Sequence, residues 1–364
     1  MQFHEIINAK YSKETYRPMM QKDAYPVNNS FQEYLQHYGR DVEIPILYTD
    51  LANYSYADSL KDKRGKWTHW ENAVYEPGQK EMLKKALIET YIILKNKAIW
   101  APGKKFDIER IDFCEYGNSI PFRIKIIDRD KDQHDFFYVK QADASRIYGL
   151  ELEHLLTHNP INFLCHQNTL VEEHIDGIPG DLFLRQEMQL TTKDKIAIAK
   201  AFVQFNESCF ARLLGDMRSY NFVVNPIAIN GHIEYRMRAI DFDQQCYEGR
   251  KNYYLPQFYR ENVELVELVL QNLTAAEIEA TQQTEFNSMA ARIIMYRRQL
   301  MQLVNTIIND DISENYKINT LRNELNEHFK TTRFSKCKTM GAIVKQQLKQ
   351  VLQKHLLMVG DKFA

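Results

Sequence analysis

Two short stretches carry oxygen-bearing side chains at spacings that could do chemistry. In G-D-M-R-S-Y-N, residues 215–221, Asp216 precedes Asn221 by five places, and in I-D-F-D, residues 240–243, Asp241 and Asp243 flank Phe242. Such residues can hold a cation, activate a hydroxyl, or merely cap a turn, and the surrounding elements decide between these roles. Residues 191–214 carry Ile198, Phe202, Phe205 and Cys209 at helical spacing, with Thr192 as the N-cap and Asp194 in the first turn. An apolar run then opens at Asn221, meets the reversal signal Asn230-Gly231 and returns to Asp241. Pro226 predicts a break in the pairing ahead of the turn. A hairpin sets its first and last residues side by side, so Asn221 and Asp241 are expected close together, with Asp216 on the loop before them. Oxygen-rich side chains converging at one end of a hairpin suit a hard divalent cation and a phosphate.

Upstream the texture differs. Residues 1 to about 60 show no sustained periodicity and read as short elements and loops that wrap something else. A helix is expected near 79–97, with Leu83, Leu87, Thr90, Ile92 and Leu94 as its apolar face. From Phe106 three alternating runs predict an antiparallel meander. A helix follows, in which Ile147, Leu150, Leu152, Leu155 and Leu156 supply apolar contact, and then two short strands. Residues 106–175 therefore read β-β-β-α-β-β. Beyond the hairpin the chain reads mostly as helix, with Val344, Leu348, Val351, Leu352, His355 and Leu356 along one side of the last. The fold class is α+β, in three parts: an N-terminal extension over 1–105, a small β-rich lobe over 106–175 and a mostly helical lobe over 176–364.

Composition removes several classes of function. A net charge of −1 lacks the basic footprint of a nucleic-acid binder. No apolar run approaches the length of a membrane span, and the N-terminus has no signal-peptide core, so a cytoplasmic location is expected. Five scattered cysteines form neither a C-x-x-C pair nor a disulfide framework, and no H-E-x-x-H occurs.

The order of these motifs resembles the protein-kinase-like superfamily. G-D-M-R-S-Y-N matches its D-x-x-x-x-N catalytic loop and I-D-F-D its D-F-G segment, while Gly215 before the aspartate is closer to the aminoglycoside and choline kinase branch. Residues 137–143 look like the strand that carries the family's nucleotide-binding lysine, here Lys140. The resemblance, which covers about residues 106–300, implies a two-lobed fold that binds ATP and Mg²⁺. Lys140 would hold the α- and β-phosphates, oriented by Glu151 or, two residues on, Glu153. Asp216 would take or position the proton of an attacking hydroxyl, with Arg218 meeting the γ-phosphate. Asn221 and Asp241 would bind Mg²⁺, and Asp243, where the family has glycine, would be an extra ligand. The turn at Gly117 would cover the phosphates. The segment around Glu173 would be the hinge whose backbone meets adenine, the side chains of Glu172, Glu173 and His174 being read as exposed.

Three departures matter: Leu214 replaces the family's histidine, Gly117 stands alone where a glycine-rich loop is usual, and no A-P-E segment follows. The first reading is phosphoryl transfer to a hydroxyl of a small-molecule acceptor. Nucleotidyl transfer and protein phosphorylation share the fold, and a pseudokinase or scaffold, with a protein partner on the N-terminal extension, is a different class. Trp67 and Trp70 read as packing residues of that extension, and the basic residues 330–338 as a solvated loop.

Overall fold

The computed structural model describes residues 22–62, 65–95, 106–115, 119–185, 190–229 and 231–358. The chain is α+β, with an antiparallel sheet in its N-terminal part and helices in its C-terminal part. By their contacts the described residues form two units, one of residues 22–144 with 161–174, the other of residues 145–160 with 175–358.

The first unit opens with two short helices, α1 (Asn29–His37) and α2 (Tyr48–Ala52). Seven strands follow: β1 (Tyr56–Lys61), β2 (Trp67–Val74), β3 (Phe106–Phe113), β4 (Phe122–Asp128), β5 (Gln133–Gln141), β6 (Phe163–His166) and β7 (Thr169–Glu173). They form one sheet in the order β1-β2-β3-β4-β5-β7-β6, every neighbouring pair antiparallel. Alternation builds the core. In β4, Phe122, Ile124 and Ile126 are buried, with Arg123 and Lys125 between them on the other face. The long helix α3 (Pro77–Leu94) packs Leu83, Leu87, Tyr91 and Leu94 into the same cluster. Tyr91 takes the buried place expected of Ile92 and donates its hydroxyl to Asp135 at 2.6 Å.

β1 and β2 lie inside the stretch expected to be an extension. β1 ends the sheet and shows no alternation of buried and exposed positions, so its sequence carries no strand period. Of the two tryptophans, Trp70 packs beneath the Arg123 guanidinium at 4.2 Å, whereas Trp67 is 67% exposed.

The second unit holds the helix α4 (Ala144–Leu156), the short strand β8 (Ile178–Pro179), α5 (Gly180–Arg185), the long helix α6 (Thr192–Arg212) and the hairpin β9 (Phe222–Ile229) and β10 (His232–Ala239). Five helices follow: α7 (Val263–Asn272), α8 (Ala275–Met295), α9 (Arg297–Ile308), α10 (Asn315–His328) and α11 (Met340–Met358). α6 is capped by Thr191, not by Thr192. The Thr191 side chain accepts from the Asp194 N–H, and Asp194 reaches back to the Thr191 N–H, a reciprocal box that satisfies two end donors. The helix ends where Leu213 turns left-handed at φ 56°, and every residue from Phe205 to Arg212 is buried. The hairpin pairs unbroken from Phe222–Ala239 to Ile229–His232, so Pro226 does not interrupt it. β8 reaches only Val223 and Val224, and Pro226, opposite Tyr235, owes no hydrogen bond on that side.

All five cysteines are buried free thiols. Among the described residues no helix is long and apolar enough to cross a membrane.

Candidate active site

The loop from Leu214 to Asn221 is pinned by its backbone. Leu214 N–H returns to Cys209 at 2.9 Å, Gly215 N–H bonds Gln244 at 3.2 Å, and Asn221 N–H bonds Arg218 at 2.8 Å. Asp216 N–H is shared between the Tyr253 carbonyl (3.2 Å) and the Tyr259 hydroxyl (3.0 Å). The fully buried Asn262 donates at 2.8 Å to both Met217 and Pro256 carbonyls, tying the loop to the segment ahead of α7. These bonds hold Asp216 at φ 57°, a left-handed conformation that an aspartate adopts at a cost of about 1–2 kcal/mol.

The hairpin brings its two ends together as expected, with Ile240 N–H donating to the Asn221 carbonyl at 3.0 Å. Asn221 turns its amide nitrogen to Asp216, donating to the carbonyl at 2.7 Å and to Oδ2 at 3.2 Å. The amide nitrogen being so used, Oδ1 of Asn221 remains as the donor atom for a cation. On its other side Asp216 accepts from Arg218 Nε at 2.8 Å, while Arg218 also reaches Glu261 at 2.7 Å. Burial pushes the Asp216 carboxyl up to about 6, against the pull of Arg218 and with Asp241 and Glu261 adding to the rise.

Asp241 and Asp243 are joined through a residue that spacing does not reveal. Arg146 on α4, 1% exposed, donates at 2.8 Å to Oδ1 of each. Asp243 N–H also bonds Asp241 Oδ1 at 3.1 Å. α4 lies tight against this segment: Ser145 donates to the Gln245 carbonyl at 2.6 Å, and a Cβ on Gly149 would stand 3.0 Å from Phe242 Cβ. A glycine in mid-helix costs about 1 kcal/mol unless something needs its space. Gly149, three places after an arginine on an apolar face, was the readable signal for this contact.

Around the loop stand four carboxylates (Asp216, Asp241, Asp243 and Glu261) and two guanidiniums (Arg146 and Arg218). The excess of negative charge and the oxygen donors Asn221 Oδ1 and Asp241 suit Mg²⁺, which needs only one or two carboxylates and keeps waters. Asp243 is less available, its side chain being 8% exposed against 35% for Asp241. Among the described residues no three His, Cys, Asp or Glu side chains are grouped as a ready metal site.

In the first unit, Lys140 is buried and donates to Glu172 at 2.9 Å. Tyr138 stands opposite Glu172 in the β5–β7 register, so Lys140 and Glu172 are diagonal neighbours on one face. Glu172 is thus 5% exposed and ion-paired, not exposed as read from the sequence. Glu173 accepts from the Asn162 N–H (2.8 Å) and amide (3.0 Å). Of the two α4 carboxylates, Glu153 is committed to Arg212, Thr157 and Asn159, whereas Glu151 accepts from Gln299 at 3.3 Å. Gly117 lies outside the described residues.

No model of a known protein family matches the chain, and no curated protein matches it.

Proposed function

We propose that the chain is an ATP- and Mg²⁺-dependent phosphotransferase acting on a hydroxyl of a small-molecule acceptor, built on a protein-kinase-like two-lobed fold. The observation that carries this reading is the joint geometry of Asp216 and Asn221, bonded to each other on a pinned loop, with Asp241 at the far end of the same hairpin. Asp216 accepts the acceptor's hydroxyl proton, and a carboxylate that titrates near neutrality is matched to that task. Arg218, fixed between Asp216 and Glu261, presents a rigid cation for phosphate oxygens. Asn221 Oδ1 and Asp241 would hold Mg²⁺, which when bound neutralises charge developing on the transferred phosphoryl group. Lys140 is assigned the nucleotide's phosphates by the resemblance, and its buried pairing with Glu172 fits a lysine whose position matters.

Arg146 favours a second reading, a kinase-like scaffold without turnover, since its guanidinium already ion-pairs with both aspartates of I-D-F-D, where a metal would otherwise sit. Release of labelled phosphate from γ-labelled ATP separates the two. The proposed enzyme hydrolyses ATP slowly with Mg²⁺ even without its acceptor, and Asp216→Asn lowers that rate by about 10²–10⁴-fold. Hydrolysis that survives Asp216→Asn unchanged contradicts the mechanism, and absence of any turnover supports the scaffold.

A further inference from the structure

Charge is unevenly shared along the chain. Residues 328–358 contain seven lysines and arginines and no aspartate or glutamate, so a net charge of −1 averages a basic region with an acidic remainder. Residues 330–338, read from the sequence as a solvated loop, are held in place. Phe334 is fully buried and stacks on Phe329 at 5.9 Å, its N–H donates to Asn326 at 3.0 Å, and Arg322 donates to the Cys337 carbonyl at 3.3 Å. Two bonds fasten the turn to α11: Arg333 donates to Gln350 Oε1 at 3.3 Å, and the Cys337 thiol donates to the Ala342 carbonyl at 3.4 Å. Lys336 and Lys338, on either side of Cys337, therefore lie by the start of α11, and Lys345 and Lys349 follow one helical turn apart. None of these four lysines forms an ion pair among the described residues. Of the two glutamates that precede the turn, Glu324 is taken by Arg250 at 2.7 Å and Glu327 is exposed.

We propose that this face binds the sugar–phosphate backbone of a nucleic-acid duplex. Like charges four places apart on a helix repel, and a fold that holds them together is stabilised when an anion lies across them. The sign of the charge calls for a polyanion, and the neighbouring side chains narrow its kind. Hydroxyls and amides are interleaved with the cations, Thr332 and Ser335 in the turn and Gln346 and Gln353 on α11. Lys, Arg, Ser, Thr and Gln are the side chains that bond phosphate and sugar oxygens. Between residues 328 and 356 no large apolar side chain is exposed. A membrane surface is gripped by buried apolar side chains as well as by charge, and single strands by bases stacked on aromatic rings; this face offers neither. A duplex keeps its bases stacked inside and presents about one charge per 1.7 Å of axis to a rigid basic surface. None of Asp216, Asn221, Asp241 or Asp243 belongs to this face, so the inference stands apart from the proposed reaction.

Fluorescence anisotropy of a labelled DNA duplex of about 20 base pairs, titrated with the full chain at several salt concentrations, tests this. Affinity is expected to fall with salt on a logarithmic slope of about −4, which about four phosphate contacts give. Lys345→Gln with Lys349→Gln weakens binding about tenfold at low salt and makes the slope shallower by about two. Lys80→Gln with Lys85→Gln, which removes the same charge from exposed positions of α3, changes neither. Poly-glutamate and phosphatidylserine vesicles are expected to bind less tightly than the duplex. Absence of duplex binding at about 50 mM salt overturns the proposal. So does binding that the α11 pair leaves untouched, equal weakening by the α3 pair, or either other polyanion bound as tightly as the duplex.

Discussion

Asp216 is held in a backbone conformation and an environment that both cost free energy. Its folded-state pKa of about 6 lies above the unfolded carboxylate range near 4. The folded protein therefore holds this proton more tightly, and stability falls as pH rises from about 4 to about 6, then levels off. At neutral pH the loss is on the order of 2–3 kcal/mol. In metal-free protein, Asp216→Asn is expected to remove that slope and to raise the urea midpoint at pH 7, whereas with ATP and Mg²⁺ it lowers turnover by about 10²–10⁴-fold. A variant as pH-dependent as the wild type, or less stable at pH 7, contradicts this account. Arg146 gives the opposite case. Arg146→Met takes a buried guanidinium from two carboxylates, and a loss of about 3 kcal/mol is expected, toward the low end for buried pairs because Asp241 is a third exposed. Millimolar Mg²⁺ should recover part of that loss, and should recover nothing in Arg146→Met with Asp241→Asn. Denaturant titration with and without the metal reads both. At this scale Asp216, Asn221 and Asp241 were legible because one loop and one hairpin relate them. Arg146, Tyr259 and Glu261 were not, because their places depend on packing between segments that no local spacing connects.

Elements were legible where burial imposes a period. The apolar positions chosen for α6 are all buried, and Val344, Leu348, Leu352, His355 and Leu356 form the buried side of α11. Legibility failed where a strand is exposed on both faces, as in β1, or where a general rule met a particular neighbour. Pro226 sits in an unbroken hairpin because β8 stops two residues short of it. Close approach of helices was also hidden. A Cβ on Gly341, in the first turn of α11, would stand 2.0 Å from the Ile307 carbonyl oxygen of α9. Gly341→Ala is therefore expected to destabilise the chain by about 1–3 kcal/mol despite alanine's better helix propensity, since backbone must shift to admit the methyl group. An unchanged or raised unfolding midpoint would mean that α9 and α11 do not cross so closely.

For the whole molecule, composition and motif order led to an α+β chain with strands first and helices after, and the structure has that arrangement. The grouping of residues 145–160 with residues 175–358 was not visible, because it rests on contacts such as Ser145 with Gln245, a hundred positions apart. Glu153 with Arg212 is another such pair. The central claim is that nucleotide and Mg²⁺ bind at the carboxylates around the Asp216 loop. Thermal unfolding with and without ATP, each with and without Mg²⁺, on the wild type and Asp241→Asn, tests it most directly. At about a hundred times its dissociation constant a ligand adds roughly 2.7 kcal/mol to stability, enough to raise the midpoint by a few degrees. The account predicts a rise that needs both ATP and Mg²⁺ and vanishes in Asp241→Asn. A wild type that ignores ATP with Mg²⁺, or a rise that Asp241→Asn leaves intact, would contradict it.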